Sequence, residues 1–159
     1  MPTYDVVLKQ VAPVRVAQVH GVAPSMDVIG PTLDRLFDQV MGYINQQGAT
    51  CTGPATTLYY DMELNERNIS VGACMPFSGS LNASEQVTID ELPAVETMAS
   101  VIHHGPFSTI NQAYNAMLKW TEANGYHISG PNRELNLEYE RGGDQSKFVT
   151  EIQFPVEKH

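Results

Sequence analysis

The chain has 159 residues and 42% hydrophobic content, which suits one well-packed domain or two small modules and excludes a disordered segment. Its formal charge of −9 is spread over both halves without any Lys or Arg cluster. It therefore lacks the basic footprint, and also the helix-turn-helix or zinc motif, that direct nucleic-acid binding needs.

In chain order, the first segment is VVLKQVAPVRVAQVHG (residues 6–21), rich in β-branched residues and predicted to be strand. A helix follows. Leu33, Leu36, Phe37, Val40 and Ile44 recur at helical spacing, with Pro31 near the start and Gly48 past the end. Then come GATCTGPATTLYYDME and NISVGACMPF, two strands joined by a hairpin turn at residues 65–68. A small, polar link, SGSLNAS, opens the connection to the second half.

The second half repeats the first. VTIDELPAVETMASVIHHG is strand. Ile110, Ala113, Tyr114, Met117, Leu118 and Thr121 form a helical stripe, with a capping-box pattern at Thr109 and Gln112 and a stop at Gly125. GYHISGPNRELNLEYE and KFVTEIQFPV close the chain, with a turn at Gly142-Gly143-Asp144. The Gly-x-x-x-x-Gly-Pro stretches at residues 48–54 and 125–131 align without gaps, and Met75-Pro76 matches Phe154-Pro155. The expected fold is α+β: a tandem pseudo-twofold repeat of β-α-β-β modules, making one curved antiparallel sheet with two long helices on one face. The modules fall at about 3–77 and 86–157, with a linker at 78–85, in a single domain over 1–159.

Strand parity gives the candidate site. In the last but one strand, Leu135, Leu137 and Tyr139 share what reads as a core face, and Glu134, Asn136, Glu138 and Glu140 share the other. The repeat places Glu134 opposite Thr57, and Asn136 opposite Tyr59. If the two strands meet, a carboxylate, an amide, a hydroxyl and an aromatic ring converge, as in a small-molecule site. The alternative is that Glu134 is a solvated strand residue. Tyr43 and Trp120 sit at equivalent stripe edges, read as core rim, with Trp120 the better pocket wall. Phe37 and Tyr114 lie on the two helix stripes.

Other chemistry has little support. His103 and His104 are adjacent and point to opposite strand faces, while His20 and His127 are isolated, so no metal site is expected. Cys51 and Cys74 lack metal spacing and read as free thiols. No nucleophile elbow and no phosphate-cradling glycine loop is present, and no cofactor is expected. No apolar run is long enough to cross a bilayer, and the N-terminus has no secretory pattern, so a cytoplasmic protein without membrane contact is expected.

The run LPAVETMASVIHHGPFSTINQAYNAMLKWTEANGYHISGPNRE, with TEIQFPV later, resembles the GyrI-like small-molecule-binding family. That family also supplies the effector-binding domain of bacterial MerR-type and AraC-type transcription regulators. The matching elements are Leu92-Pro93-Ala94, His104-Gly105-Pro106-Phe107, the helix at 113–120, the turn at 125–131, Glu134, and the strand at 150–156. The resemblance implies a ligand groove where the modules meet, lined by aromatics, in which Glu134 recognises lipophilic cations as in multidrug-sensing members. It implies two alternatives: hydrolysis of reactive cyclopropane-bearing compounds with Glu134 as general base, or inhibition of gyrase by direct contact. The chain departs from the family's frequent Glu-x-Tyr, having Glu134-Leu135-Asn136; Tyr59 is the candidate replacement for the missing ring. The expected function is thus a stand-alone ligand sensor or sequestering protein whose ligand contacts are Glu134, Asn136, Tyr59, Thr57, Trp120, Tyr114 and Phe37. A regulator or gyrase is a possible protein partner.

Overall fold

The computed structural model describes residues 4–60 and 67–159. The turn expected at residues 65–68 lies partly outside them. The fold is α+β, with ten antiparallel strands and two long helices among the described residues. They form two compact units: a contiguous one, Ala12–Ala94, and a split one made of the chain up to Val11 together with Val95–His159.

The contiguous unit holds β2 (Val14–Ser25), α1 (Ile29–Gln46), β3 (Thr50–Cys51), β4 (Ala55–Tyr59), β5 (Arg67–Ser78) and β6 (Thr88–Leu92). Its strands run in the order β4-β5-β2-β6, with β3 also on β5. The split unit holds β1 (Val7–Val11), β7 (Val95–His104), α2 (Asn111–Ala123), β8 (Tyr126–Ile128), β9 (Asn132–Glu138) and β10 (Val149–Lys158). Its order is β1-β7-β10-β9, with β8 also on β10.

Each predicted opening strand is two strands. Ala12-Pro13 separates β1 from β2, and Pro93-Ala94 separates β6 from β7. A proline has no amide hydrogen for a ladder, so it ends the strand. Past the break the pairing changes: β1 joins β7, and β6 joins β2.

The helices cover one face of each unit. α1 buries Thr32, Leu36, Phe37, Val40 and Ile44 against Ala17, Val19, Val71 and Ala73. α2 buries Ala113, Met117 and Thr121, with Val101, Ile152, Phe154 and Val156 in the same core. Burying each large apolar side chain contributes roughly 1.5–3 kcal/mol. Leu118, expected on the stripe, is 37% exposed. The capping box is also absent. α2 starts at Asn111 without a side-chain cap, and the Thr109 hydroxyl donates to Pro106 O at 3.0 Å instead. The helices end as the sequence predicts, with Gly48 at φ 80° and Gly125 at φ 74°, a conformation glycine adopts without a Cβ penalty.

Strand registers in the two units match. Thr57 pairs with Ala73 and Tyr59 with Val71; Glu134 pairs with Ile152 and Asn136 with Thr150. Cys51 pairs with Phe77, and Ile128 with Val156. Thr52 N–H donates to Pro76 O, and Ser129 N–H to Pro155 O.

Candidate functional site

β10 settles which face of β9 is covered. Its Ile152, Phe154 and Val156 lie in the core with α2. Residues directly opposite in a ladder share a face, and Glu134 pairs with Ile152. Glu134 therefore lies on the helix-covered face. The expectation that Leu135, Leu137 and Tyr139 form the core face is corrected: Leu137 is 42% and Tyr139 40% exposed. The parity holds, but the covered face belongs to the polar residues. Tyr139 instead joins Phe107 and Phe148 in an aromatic cluster, with ring centroids 5.0 Å from Phe148 and 5.8 Å from Phe107.

Glu134 is half-buried, and the Tyr114 hydroxyl from α2 donates to its carboxylate. The Tyr114 ring tilts against Phe154, with centroids 5.9 Å apart. A phenol anchored in the core thus holds the carboxylate in one orientation. Asn136 is half-buried on the same strand face. Trp120 is partly buried at the end of the α2 stripe, and stacks on Tyr126 at 5.5 Å and 12°. Lys158 Nζ lies 4.5 Å from the Tyr126 ring centroid. The stack presents a flat aromatic surface of the kind cations favour.

The remaining expected site residues belong to the contiguous unit. Phe37 (8% exposed) is part of its core, and Thr57 (4%) is equally covered. Tyr59 is half-buried at the edge of that core.

The helix-free faces carry two polar networks that the sequence did not reveal. In the split unit, Glu151 is 6% exposed and accepts from Lys9 Nζ (2.5 Å), Ser100 Oγ (2.7 Å) and Gln153 Nε2 (2.8 Å). Burial pushes its carboxyl up, but these donors outweigh burial and hold it below the usual carboxylate value. In the contiguous unit, the Tyr60 hydroxyl donates to Gln18 Oε1, and Gln18 Nε2 donates to Asp90 Oδ2 at 3.0 Å. A Cβ at Gly72 would run into Gln18 Oε1, so glycine makes room for this network. Burial, with Cys74 nearby, pushes the Tyr60 hydroxyl up. The signal was a Gln and a Ser at strand positions that otherwise read as apolar.

Among the described residues, no group of three His, Cys, Asp or Glu side chains could hold a metal ion. Both cysteines are free thiols, Cys74 buried and Cys51 half-buried with its pKa raised by burial. Among the described residues, no helix is long and apolar enough to cross a membrane.

Each unit is thus antiparallel strands covered by one long helix, and the split unit holds a carboxylate under its helix. The family model for the GyrI-like small molecule binding domain matches residues 4–157, and the chain belongs to that family. The EcmrR C-terminal domain is similar at 30% identity and TM-score 0.84, over 98% of this chain and 99% of that one. EcmrR in its DNA complex is similar at 28% identity and TM-score 0.86; the match covers 98% of this chain but only 58% of EcmrR. SAV2435 bound to tetraphenylphosphonium shares the fold, at 13% identity and TM-score 0.60, over 96% of this chain and 94% of that one. No curated relative matches in sequence.

Proposed function

We propose that the chain is an effector-binding domain that takes up hydrophobic cations, with Glu134 as the charge complement. The observation that carries this reading is the Tyr114–Glu134 hydrogen bond on the helix-covered face. A carboxylate placed among apolar side chains is costly unless it is paired. Held in place by a phenol, it is pre-organised for a cation whose own hydration is weak. Attraction between opposite charges grows as water is excluded, and aromatic faces add cation–π contacts. Asn136 and Trp120 complete this proposed contact set, with Asn136 setting ligand preference where relatives often carry tyrosine. The matching registers of the two units support reading them as a tandem repeat, in which only one copy carries the carboxylate. By analogy with EcmrR, occupancy would serve transcription regulation through a DNA-binding partner.

Calorimetric titration tests the reading with tetraphenylphosphonium and the neutral triphenylphosphine oxide. Glu134→Gln is expected to weaken the cation at least tenfold, about 1.4 kcal/mol, and to leave the neutral compound within twofold. Equal loss for both compounds, or none, refutes the charge role.

A further inference from the structure

The contiguous unit has a cleft of about 440 Å³ whose lining includes His20, Gly21, Arg35, Gln39, Glu85 and Thr88. The matching registers show what the split unit keeps at the same place. Gly21 pairs with Val71 as His103 pairs with Thr150, and Thr88 pairs with Gln18 as Val7 pairs with Ser100. Gly21 thus stands where His103 stands, while Glu85 and Tyr4 each come three residues before the matched pair Thr88 and Val7, outside the strands. In the split unit this slot is full. The Tyr4 ring stacks on the His103 ring, with centroids 6.0 Å apart, and its hydroxyl lies 3.0 Å from His103 Nδ1. His103 Nε2 lies 3.0 Å from Pro106 O. Because a carbonyl only accepts, Nε2 carries a hydrogen. In the contiguous unit the imidazole is replaced by a glycine whose missing Cβ would lie 2.8 Å from Leu36 Cδ1, and the cleft lining carries an exposed glutamate, Glu85, instead of a phenol. Leu36 takes up part of the vacated space; the rest is the cleft. α1 contributes Arg35, which is exposed and has no ion-pair partner among the described residues.

We infer that this cleft is a second ligand site, separate from Glu134, for a small aromatic monocarboxylate. The ring takes the place that Tyr4 fills in the other unit, beside Gly21 and Leu36. The carboxylate pairs with the Arg35 guanidinium, whose planar fork suits two-point contact. Glu85 on the lining disfavours a second negative charge. His20 Nε2 lies 2.8 Å from Ser70 Oγ, and Arg35 is the cleft lining's permanently charged cation.

The test uses the whole chain with 4-hydroxyphenylacetate and its neutral amide, followed by NMR chemical-shift titration. Saturable binding of the acid is expected, at least tenfold tighter than the amide. Arg35→Gln should remove that preference. Glu85→Tyr should fill the slot with the chain's own phenol and abolish binding of both compounds, leaving tetraphenylphosphonium affinity unchanged. Glu134→Gln should leave the acid's affinity unchanged. The inference is overturned if the acid does not saturate, if both cleft variants bind it like the parent chain, or if Glu134→Gln abolishes its binding.

Discussion

The two units place the same strands in the same registers beneath equivalent helices, and one of the pairs of positions at which they differ sets their roles apart. The contiguous unit has Phe37 and Thr57, both buried in or beside its core. The split unit has Tyr114 and Glu134 at the matching places, joined by a hydrogen bond. One site is packed as structure. The other carries a carboxylate that its own core must support. Because the scaffold is common to both, this difference lies in side chains rather than in the backbone.

The largest effect is expected from forcing the quiet unit to imitate the other. Thr57→Glu would bury an unpaired carboxylate at a position 4% exposed, lowering stability by roughly 3–5 kcal/mol. Urea unfolding measures it, and a near-neutral result would mean that this unit already tolerates a charge. Next comes Tyr114→Phe, which removes the donor but keeps the ring against Phe154. A loss of about 1–2 kcal/mol is expected, with weaker tetraphenylphosphonium binding. Unchanged affinity would show that the phenol does not orient Glu134.

A smaller effect separates the helix-free faces, where Lys9 pairs with Glu151 in one unit and Asp90 accepts from Gln18 in the other. Glu151 has a lowered pKa in the folded state. Its contribution is therefore present above the unfolded carboxylate value and is lost as pH falls through the lowered folded one. Lys9 is 42% exposed, so solvent screens the pair. Lys9→Met should cost about 1 kcal/mol at neutral pH and flatten the acid-side fall in the urea midpoint. A fall as steep as in the parent chain would assign it to other carboxylates. The smallest effect is Leu137→Thr, about 0.5 kcal/mol or less, because Leu137 is itself 42% exposed. A loss of 2 kcal/mol in thermal unfolding would restore the leucine face as core.

Much of this was legible in the sequence. The Gly-Pro stretches and the Met75-Pro76 and Phe154-Pro155 landmarks aligned the halves, and the ladders pair in that alignment. The stripe of Leu36, Phe37, Val40 and Ile44 identified the covered face of α1. What could not be read was direction. Alternation in NRELNLE separates Glu134 from Leu135 but does not say which side meets a helix, and hydrophobicity pointed to the leucines. The answer lay in the partner strand, because β10 places Ile152 opposite Glu134. The pairing of β1 with β7 was equally hidden, since Ala12-Pro13 marks a break without naming the new partner. The candidate cleft at Gly21 became visible only through comparison of ladders, for no local motif announces an unfilled slot.

The same break has a consequence for the order of events during synthesis. The ladders of β5 with β2, β3 and β4, and of β2 with β6, lie inside Ala12–Ala94, so all the strands that make them have been synthesised once residue 94 has left the ribosome. β1 emerges before all of these but must wait for β7. Its core, in turn, needs β10 near the end of the chain. β1 is thus made before β2 yet locked after it. Until then its apolar residues, Val7 and Leu8 among them, form a free edge available to other nascent chains.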